Sequence, residues 1–245
     1  MKAWVWAWIC GWLLAAPLAQ AELLTSGNRG IRLFELYTSE GCSSCPPAEQ
    51  WLSGLAVEPG LWRDTFVLAF HVSYWDYLGW RDPYGSKAFS ARQYQHLNAR
   101  HSRSVYTPQF FINSREWRGG ELPEPASQST GELRIDTRGS LIEASFTPLN
   151  AMAAPELHLA LVAMGLTSQV TAGENRSRVL KHDFCVLQHQ QVSGELGQGT
   201  WHFQAQWPAL PTTAAGATRL ARVYWIESGA EVQQALGHWL TRDAE

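Results

Sequence analysis

An apolar, β-rich run from Ile31 to Thr38 (IRLFELYT) leads straight into Cys42-Ser43-Ser44-Cys45-Pro46-Pro47, and from there into the helical pattern PAEQWLSGLA. No other feature restricts the fold so tightly. Proline lacks a backbone N–H and is tolerated in a helix only in its first turn, so Pro46-Pro47 pins a helix start to the second cysteine. Three chemistries compete for such a Cys-x-x-Cys unit. In the redox reading, the positive end of the helix favours a thiolate, with Cys42 as nucleophile and Cys45 as resolving thiol. A zinc site needs four ligands, and His182 and Cys185 in KHDFC are the available complement. They sit in a strand-like run, however, where residues three apart face opposite sides. A purely structural disulfide closes so short a ring that it constrains the unfolded chain only modestly. The spacing favours the redox reading.

The surrounding pattern is strand, helix, strand, helix, strand. TFVLAFHV (residues 65–72) is apolar throughout, as expected of a strand covered on both faces. An aromatic loop, SYWDYLGWRDP, follows, and Asp82-Pro83 offers an N-cap and first position for a second helix through FSARQYQHLNAR. A third strand is expected at Gln109 to Asn113. This order predicts an α/β unit whose first two strands are parallel. From about Glu132 the texture becomes strands and turns, with a hairpin around Arg138-Gly139 and four later strand candidates, as in a small β-sandwich. GGELPEPASQSTG between the halves reads as a linker.

The N-terminus, MKAWVWAWICGWLLAAPLAQA, has the layout of a secretory signal peptide, with cleavage expected after Ala21. An uncleaved anchor is the alternative; the position of Cys10 inside the apolar run argues against a lipid-modified cysteine. Export to an oxidising compartment, periplasmic or extracellular, would leave Cys42, Cys45 and Cys185 where disulfides persist. The 245-residue chain has a formal net charge of −3 and no basic run, which argues against a nucleic-acid partner. Trp4, Trp6, Trp8 and Trp12 lie in the leader, so the tryptophan total says little about the mature chain.

VYTPQFFIN places Thr107-Pro108 just before the third strand. With the strand–Cys-x-x-Cys–helix unit, this resembles the thioredoxin fold, where the proline is cis and lies against the active-site disulfide. That resemblance gives Thr107 a role in offering backbone groups to an extended substrate. More narrowly, ELYTSEGCSSCPPAE, FHVSYWDYLGWRDP, FSARQ, VYTPQFFIN and GENRSRVLKHDF together resemble a bacterial secreted family of unknown function that joins a thioredoxin-like domain to a β-rich C-terminal region. The fold this implies is an α/β thioredoxin-like N-terminal domain (residues 28–120), a linker (121–131) and an all-β, sandwich-like C-terminal domain (132–242), after a signal peptide (1–21). Ser-Ser stands where thioredoxin itself has Gly-Pro, and no aromatic residue precedes Cys42.

Other residues have candidate roles. Glu35, in a mostly apolar strand, is placed to serve as a buried base, offset by one residue from thioredoxin's acid and so on the opposite face unless a bulge intervenes. His71 ends the second strand near the cysteines, as a proton relay, a copper ligand beside them, or a hydrogen-bonded structural histidine. Trp75, Asp76 and Trp80, with Tyr77, would wall a peptide groove or pack over the sheet end. Cys185 reads as a buried free thiol, and GENRSR as a turn.

The expected function is thiol–disulfide exchange through a mixed disulfide, without a cofactor. Its partners would be protein or peptide thiols and disulfides, together with a membrane-bound redox partner. The rival readings are a non-catalytic binding or assembly module with a structural Cys42–Cys45 bond, and a zinc- or copper-binding protein.

Overall fold

The structure, a computed structural model, describes residues 22–241. The leader, Cys10 and the cleavage position expected after Ala21 lie outside the described residues. A short strand, β1 (Glu22–Thr25), precedes the apolar run, which forms β2 (Arg32–Thr38), every residue of it buried. The prolines start α1 (Cys45–Ser53) at the second cysteine, as expected. After it, β3 (Thr65–His71) runs parallel to β2 with Thr38 opposite His71, so α1 is the crossover between them. Next, α2 (Lys87–Asn98) begins later than Asp82-Pro83 predicts. Ser86 is its N-cap, its side chain accepting from the Ala88 N–H, while the Asp82 carboxylate is bound to His71 instead. The strands β4 (Gln109–Ile112) and β5 (Arg115–Trp117) then extend the sheet antiparallel beyond β2.

The remaining strands are β6 (Gly131–Arg138), β7 (Leu141–Pro148), β8 (Glu156–Met164), β9 (Leu166–Gln169), β10 (Val179–His182), β11 (Cys185–Ser193), β12 (Glu195–Gly197), β13 (Thr200–Gln206), β14 (Arg219–Ser228) and β15 (Glu231–Trp239). The hairpin expected at Arg138-Gly139 joins β6 to β7, with Gly139 at φ 63° supplying the left-handed turn residue.

An α/β thioredoxin-like domain followed by a separate all-β domain is not what the chain builds. Strands from both halves form one eight-stranded sheet in the order β15-β14-β8-β11-β3-β2-β4-β5. The join is the parallel pairing of β11 with β3, where Cys185 lies opposite Ala69 and the Ala69 N–H donates to the Phe184 carbonyl at 2.8 Å. Because β3 is apolar on both faces and has β2 on one edge only, its other edge needs a partner, and the C-terminal half supplies it. The stretch read as a linker is tied down too. Arg32 donates to the Pro123 carbonyl at 3.0 Å, and Gln234 of β15 donates to the Ser129 hydroxyl at 2.8 Å.

The faces of this sheet position everything else. On one face lies α1, with Trp51 against Phe34 and Glu49 against Thr38. Ala69, Cys185 and Ala163 lie opposite one another across three strands and so share that face, as do Leu161, Leu159 and Leu157 by alternation along β8. Those leucines pack against Leu133, Ile135, Phe146 and Phe203 of a second, five-stranded sheet, β1-β6-β7-β13-β12. The opposite face carries α2. There the buried Arg92 clamps Glu35 of β2 at 2.7 and 2.9 Å and Glu227 of β14 at 2.5 Å, with its guanidinium over Phe70 and Trp225. Among the described residues no helix is long and apolar enough to cross a membrane.

One cation thus links a strand from each half of the chain. Replacing Arg92 by Ala removes the one guanidinium shared by two buried carboxylates, leaving Glu35 with Tyr37 and His96 and Glu227 with Trp225 and His158, and should cost about 3 kcal/mol in urea unfolding, well above the effect of an exposed control such as Arg134→Ala.

Candidate functional site

Parallel strands present their carboxyl ends together, and the chain leaving β2 passes there through Ser39 to Ser44 before entering α1. Cys42 and Cys45 form a disulfide, closed onto the first residue of the helix. Both sulfur-bearing residues are buried, whereas Ser43 and Ser44 are exposed. Ser44 occupies the N-cap but makes no capping hydrogen bond through its side chain; its hydroxyl lies 3.4 Å from Cys42 Sγ.

Two segments shield the bond. The Trp75 side chain lies so close to Gly41 that a Cβ there would come within 2.7 Å of Trp75 Cβ, so Gly41 is required by close approach. The Trp75 indole N–H donates to Thr107 Oγ1 at 2.7 Å. Thr107-Pro108 is cis, and because Gln109 is the partner of Tyr37, it lies beside the end of β2. The second shield comes from the C-terminal half. Asn175 donates from Nδ2 to the carbonyls of Glu40 and Cys42, at 2.8 and 2.9 Å, and the Glu174 carboxylate accepts from the Ser43 N–H. The GENRSR segment, read from sequence as a turn, is therefore a clasp on the cysteine loop.

Behind the disulfide lies a buried set of titratable groups. Glu49 follows Cys45 by one helical turn and shares its buried face. Its carboxylate accepts from Thr38 at 2.5 Å and meets His182 Nδ1 at 2.5 Å. His182 Nε2 lies 2.9 Å from Glu40, whose other oxygen accepts from the Trp80 indole at 2.6 Å. His71 pairs with Asp82 at 2.8 Å and stands edge-on to His182, ring centres 4.9 Å apart. Burial alone would push both imidazoles down, but Asp82 and Cys185 lift His71 well above its usual value, and Glu40 and Glu49 lift His182. Burial would raise the carboxyls; His71 outweighs it at Asp82, and His182 at Glu49, so both stay low. Burial raises the Cys185 thiol.

His182 and Cys185, expected to point to opposite sides, both reach His71. The strand breaks between them at Asp183-Phe184, and Phe184 at φ 58° turns the chain out of extended geometry.

Of the residues singled out from sequence, Cys42, Cys45, Thr107, Pro108 and Trp75 come together. His71 and Trp80 enter the buried set behind them, and Asp76 accepts from the Asp82 N–H at 3.3 Å. Trp75, Asp76 and Trp80 are half-buried, packed over the sheet end. Glu35 stands on the α2 face, away from α1. Burial would raise its carboxyl, but Arg92 and His96 outweigh that and hold it well below the usual range. Glu40, Glu49, Asp82, His182 and Asn175 were not singled out from sequence as members of one site. Glu49 had a signal, since it lies four residues after Cys45 on a predicted helix. Asp82 was hidden by its resemblance to an N-cap.

Residues 33–223 match the family profile described as Protein of unknown function (DUF1223). The chain belongs to that family. Among curated proteins none matches it. Two solved structures share its fold. One is a crystal structure of a protein from Agrobacterium tumefaciens, 22% identical, covering 86% of this chain and 94% of its own, with a TM-score of 0.55. The other is HBP35 of Porphyromonas gingivalis, 12% identical, covering 87% of this chain and 76% of its own, also at 0.55. At these identities the likeness is one of fold. The DUF1223 match spans both halves of the chain, as the fused sheet requires.

The histidines give a defined pH dependence. Burial pushes His158 down to about 4, and burial with Arg92 and His158 pushes His189 down as well. Unfolded, they take up protons below about 6.5, so their contribution is full above that pH and is lost as pH falls, by about 3 kcal/mol for His158. His71 and His182 work the other way: their contribution is full below about 6.5 and lost as pH rises through their folded values. The urea midpoint of the chelator-treated protein should therefore peak near pH 6.5 and fall on both sides. A midpoint still rising from pH 6.5 to 8 would contradict the His71 and His182 assignment.

Proposed function

We propose that this DUF1223 protein is a thiol–disulfide oxidoreductase of an oxidising compartment, acting through Cys42 and Cys45. The observation that carries the reading is the setting of the bond. The bond closes onto a helix N-terminus, the spare Ser44 hydroxyl lies beside Cys42 Sγ, and Trp75 links the cysteine loop to Thr107-cis-Pro108. A ring of this size stabilises the fold only modestly, so stability alone is a weak reason for the arrangement.

In the reduced protein the Cys42 thiolate would attack a partner disulfide, forming a mixed disulfide and releasing one partner thiolate. Cys45 then attacks Cys42 Sγ, closing the intramolecular bond, and its proton leaves with the second partner thiol. Two electrons pass to the partner; the oxidised form runs the same steps backwards. The Ser44 hydroxyl, free of capping, is placed to donate to the Cys42 thiolate. Pro46 and Pro47 remove two N–H donors that an ordinary helix start would add. The thiolate is stabilised less than at an N-terminus with all its donors, which puts the couple toward the reducing end of its class. Trp75, Thr107 and Pro108 would form the wall against which a peptide partner lies, and the Asn175 clasp must loosen for the partner to reach the buried sulfurs.

Equilibration of the purified protein with glutathione tests this. The reading predicts a couple nearer about −270 mV than −120 mV, and a mixed disulfide on Cys42 trapped in Cys45→Ala. A bond that stays closed far below −300 mV, with no trapped adduct, would instead make it structural.

A further inference from the structure

The buried set behind the disulfide has more order than a proton network requires. Its two histidines each hold one ring nitrogen against a carboxylate and turn the other inward. His71 uses Nδ1 for Asp82 at 2.8 Å, and its Nε2 is fully buried with no oxygen or nitrogen partner among the described residues, the Cys185 thiol lying beside the ring. His182 uses Nε2 for Glu40 at 2.9 Å, which leaves Nδ1 facing Glu49. One carboxylate oxygen of Glu49 and one ring nitrogen from each histidine lie within 4.8 Å of one another. The outer carboxylates are themselves fixed: Asp82 accepts from the Glu40 and Tyr84 N–H groups, and Glu40 from the Trp80 indole. A histidine whose far nitrogen is held by a carboxylate, itself hydrogen-bonded, is the usual outer layer of a metal ligand.

We infer that Glu49, His71 and His182 form a binding site for a single divalent transition-metal ion of the zinc type, with the Cys185 thiol as the fourth donor. Nitrogen, oxygen and sulfur donors in this mixture suit zinc, and do not suit calcium or magnesium, which take oxygen ligands. Donors about 2.0–2.1 Å from a tetrahedral ion stand about 3.4 Å apart, so the widest pair needs to close by about 1.4 Å at most, while Glu49 and His182, 2.5 Å apart, must open by about 0.9 Å to admit the ion. Cys185 lies opposite Ala69 on the face that His71 shares, buried beside the His71 ring; its sulfur stands outside the 4.8 Å group and has to swing inward to become the fourth donor. Binding displaces the proton between His182 and Glu49, the Nε2 proton of His71 and the Cys185 thiol proton, and leaves both outer carboxylate contacts in place.

An entry path exists. A surface cavity of about 370 Å³ opens between α1 and β10, walled by Pro46, Gln50, Ser53 and Lys181, with Glu49 and His182 among its lining residues. This route reaches Glu49 and His182 without opening the Cys42–Cys45 bond. The site is therefore distinct from any zinc set built on those cysteines, which the disulfide occupies, and it stands or falls independently of the exchange reaction.

The test is titration of Zn²⁺ into the chelator-treated, disulfide-intact protein by calorimetry. One ion per chain is expected, unaffected by excess Mg²⁺ or Ca²⁺. His182→Ala should weaken binding by at least about 100-fold, and Glu40→Gln by about 10- to 100-fold. Cys42→Ser/Cys45→Ser should bind as tightly as the parent. Substitution by Co²⁺ covers the case in which a histidine variant fails to fold. The intact protein should give the intense visible spectrum of a tetrahedral ion with a thiolate charge-transfer band, and Cys185→Ser should lose that band. No stoichiometric Zn²⁺ binding, equal binding by a folded His182→Ala, dependence on Cys42 and Cys45, or a weak octahedral Co²⁺ spectrum would each overturn the proposal.

Discussion

The short parallel contact between β3 and β11 governs the rest of the molecule. At Ala69 and Cys185 it turns two runs of sequence that look like separate domains into one sheet. Without it, the apolar edge of β3 would be left unpaired. With it, β10 and the segment before it are delivered to the carboxyl ends of β2 and β3. Asn175 then reaches the cysteine loop, and His182 reaches Glu40 and Glu49. The site is a joint product of both halves, though its most visible motif belongs to the first.

Charge is buried on both faces of this sheet, for different ends. On the α2 face Arg92 neutralises Glu35 and Glu227 and ties β2 to β14. Such a group is costly to disrupt, yet an apolar replacement of all its members would often be as stable, so its role is best understood as fixing which strands meet. On the α1 face three carboxylates surround two histidines, and one ring nitrogen has no oxygen or nitrogen partner among the described residues. Desolvating these groups opposes folding unless each is paired. An incompletely paired set at the carboxyl ends of parallel strands is what a binding site demands.

Much of the local structure was legible in the sequence. The strand before Cys42, the proline-started helix, the parallel β2–β3 pair and the β6–β7 hairpin follow from periodicity and turn chemistry. The sheet order was not, because pairing between β3 and β11 joins residues more than a hundred positions apart, and alternation says nothing about which edge meets which. His182 and Cys185 illustrate the same limit at the site. Strand periodicity sets them on opposite sides, and only the left-handed backbone at Phe184 reverses that. Asp82 shows a polar residue with two plausible employments, a helix cap and a histidine partner, where tertiary context chose the second.

The claim that both halves share one sheet, and so build one site, is tested most directly by calorimetric unfolding of the intact protein. A single transition whose calorimetric and van't Hoff enthalpies agree is the predicted result. Two resolved transitions, with the Cys42–Cys45 segment melting independently of the C-terminal strands, would contradict it.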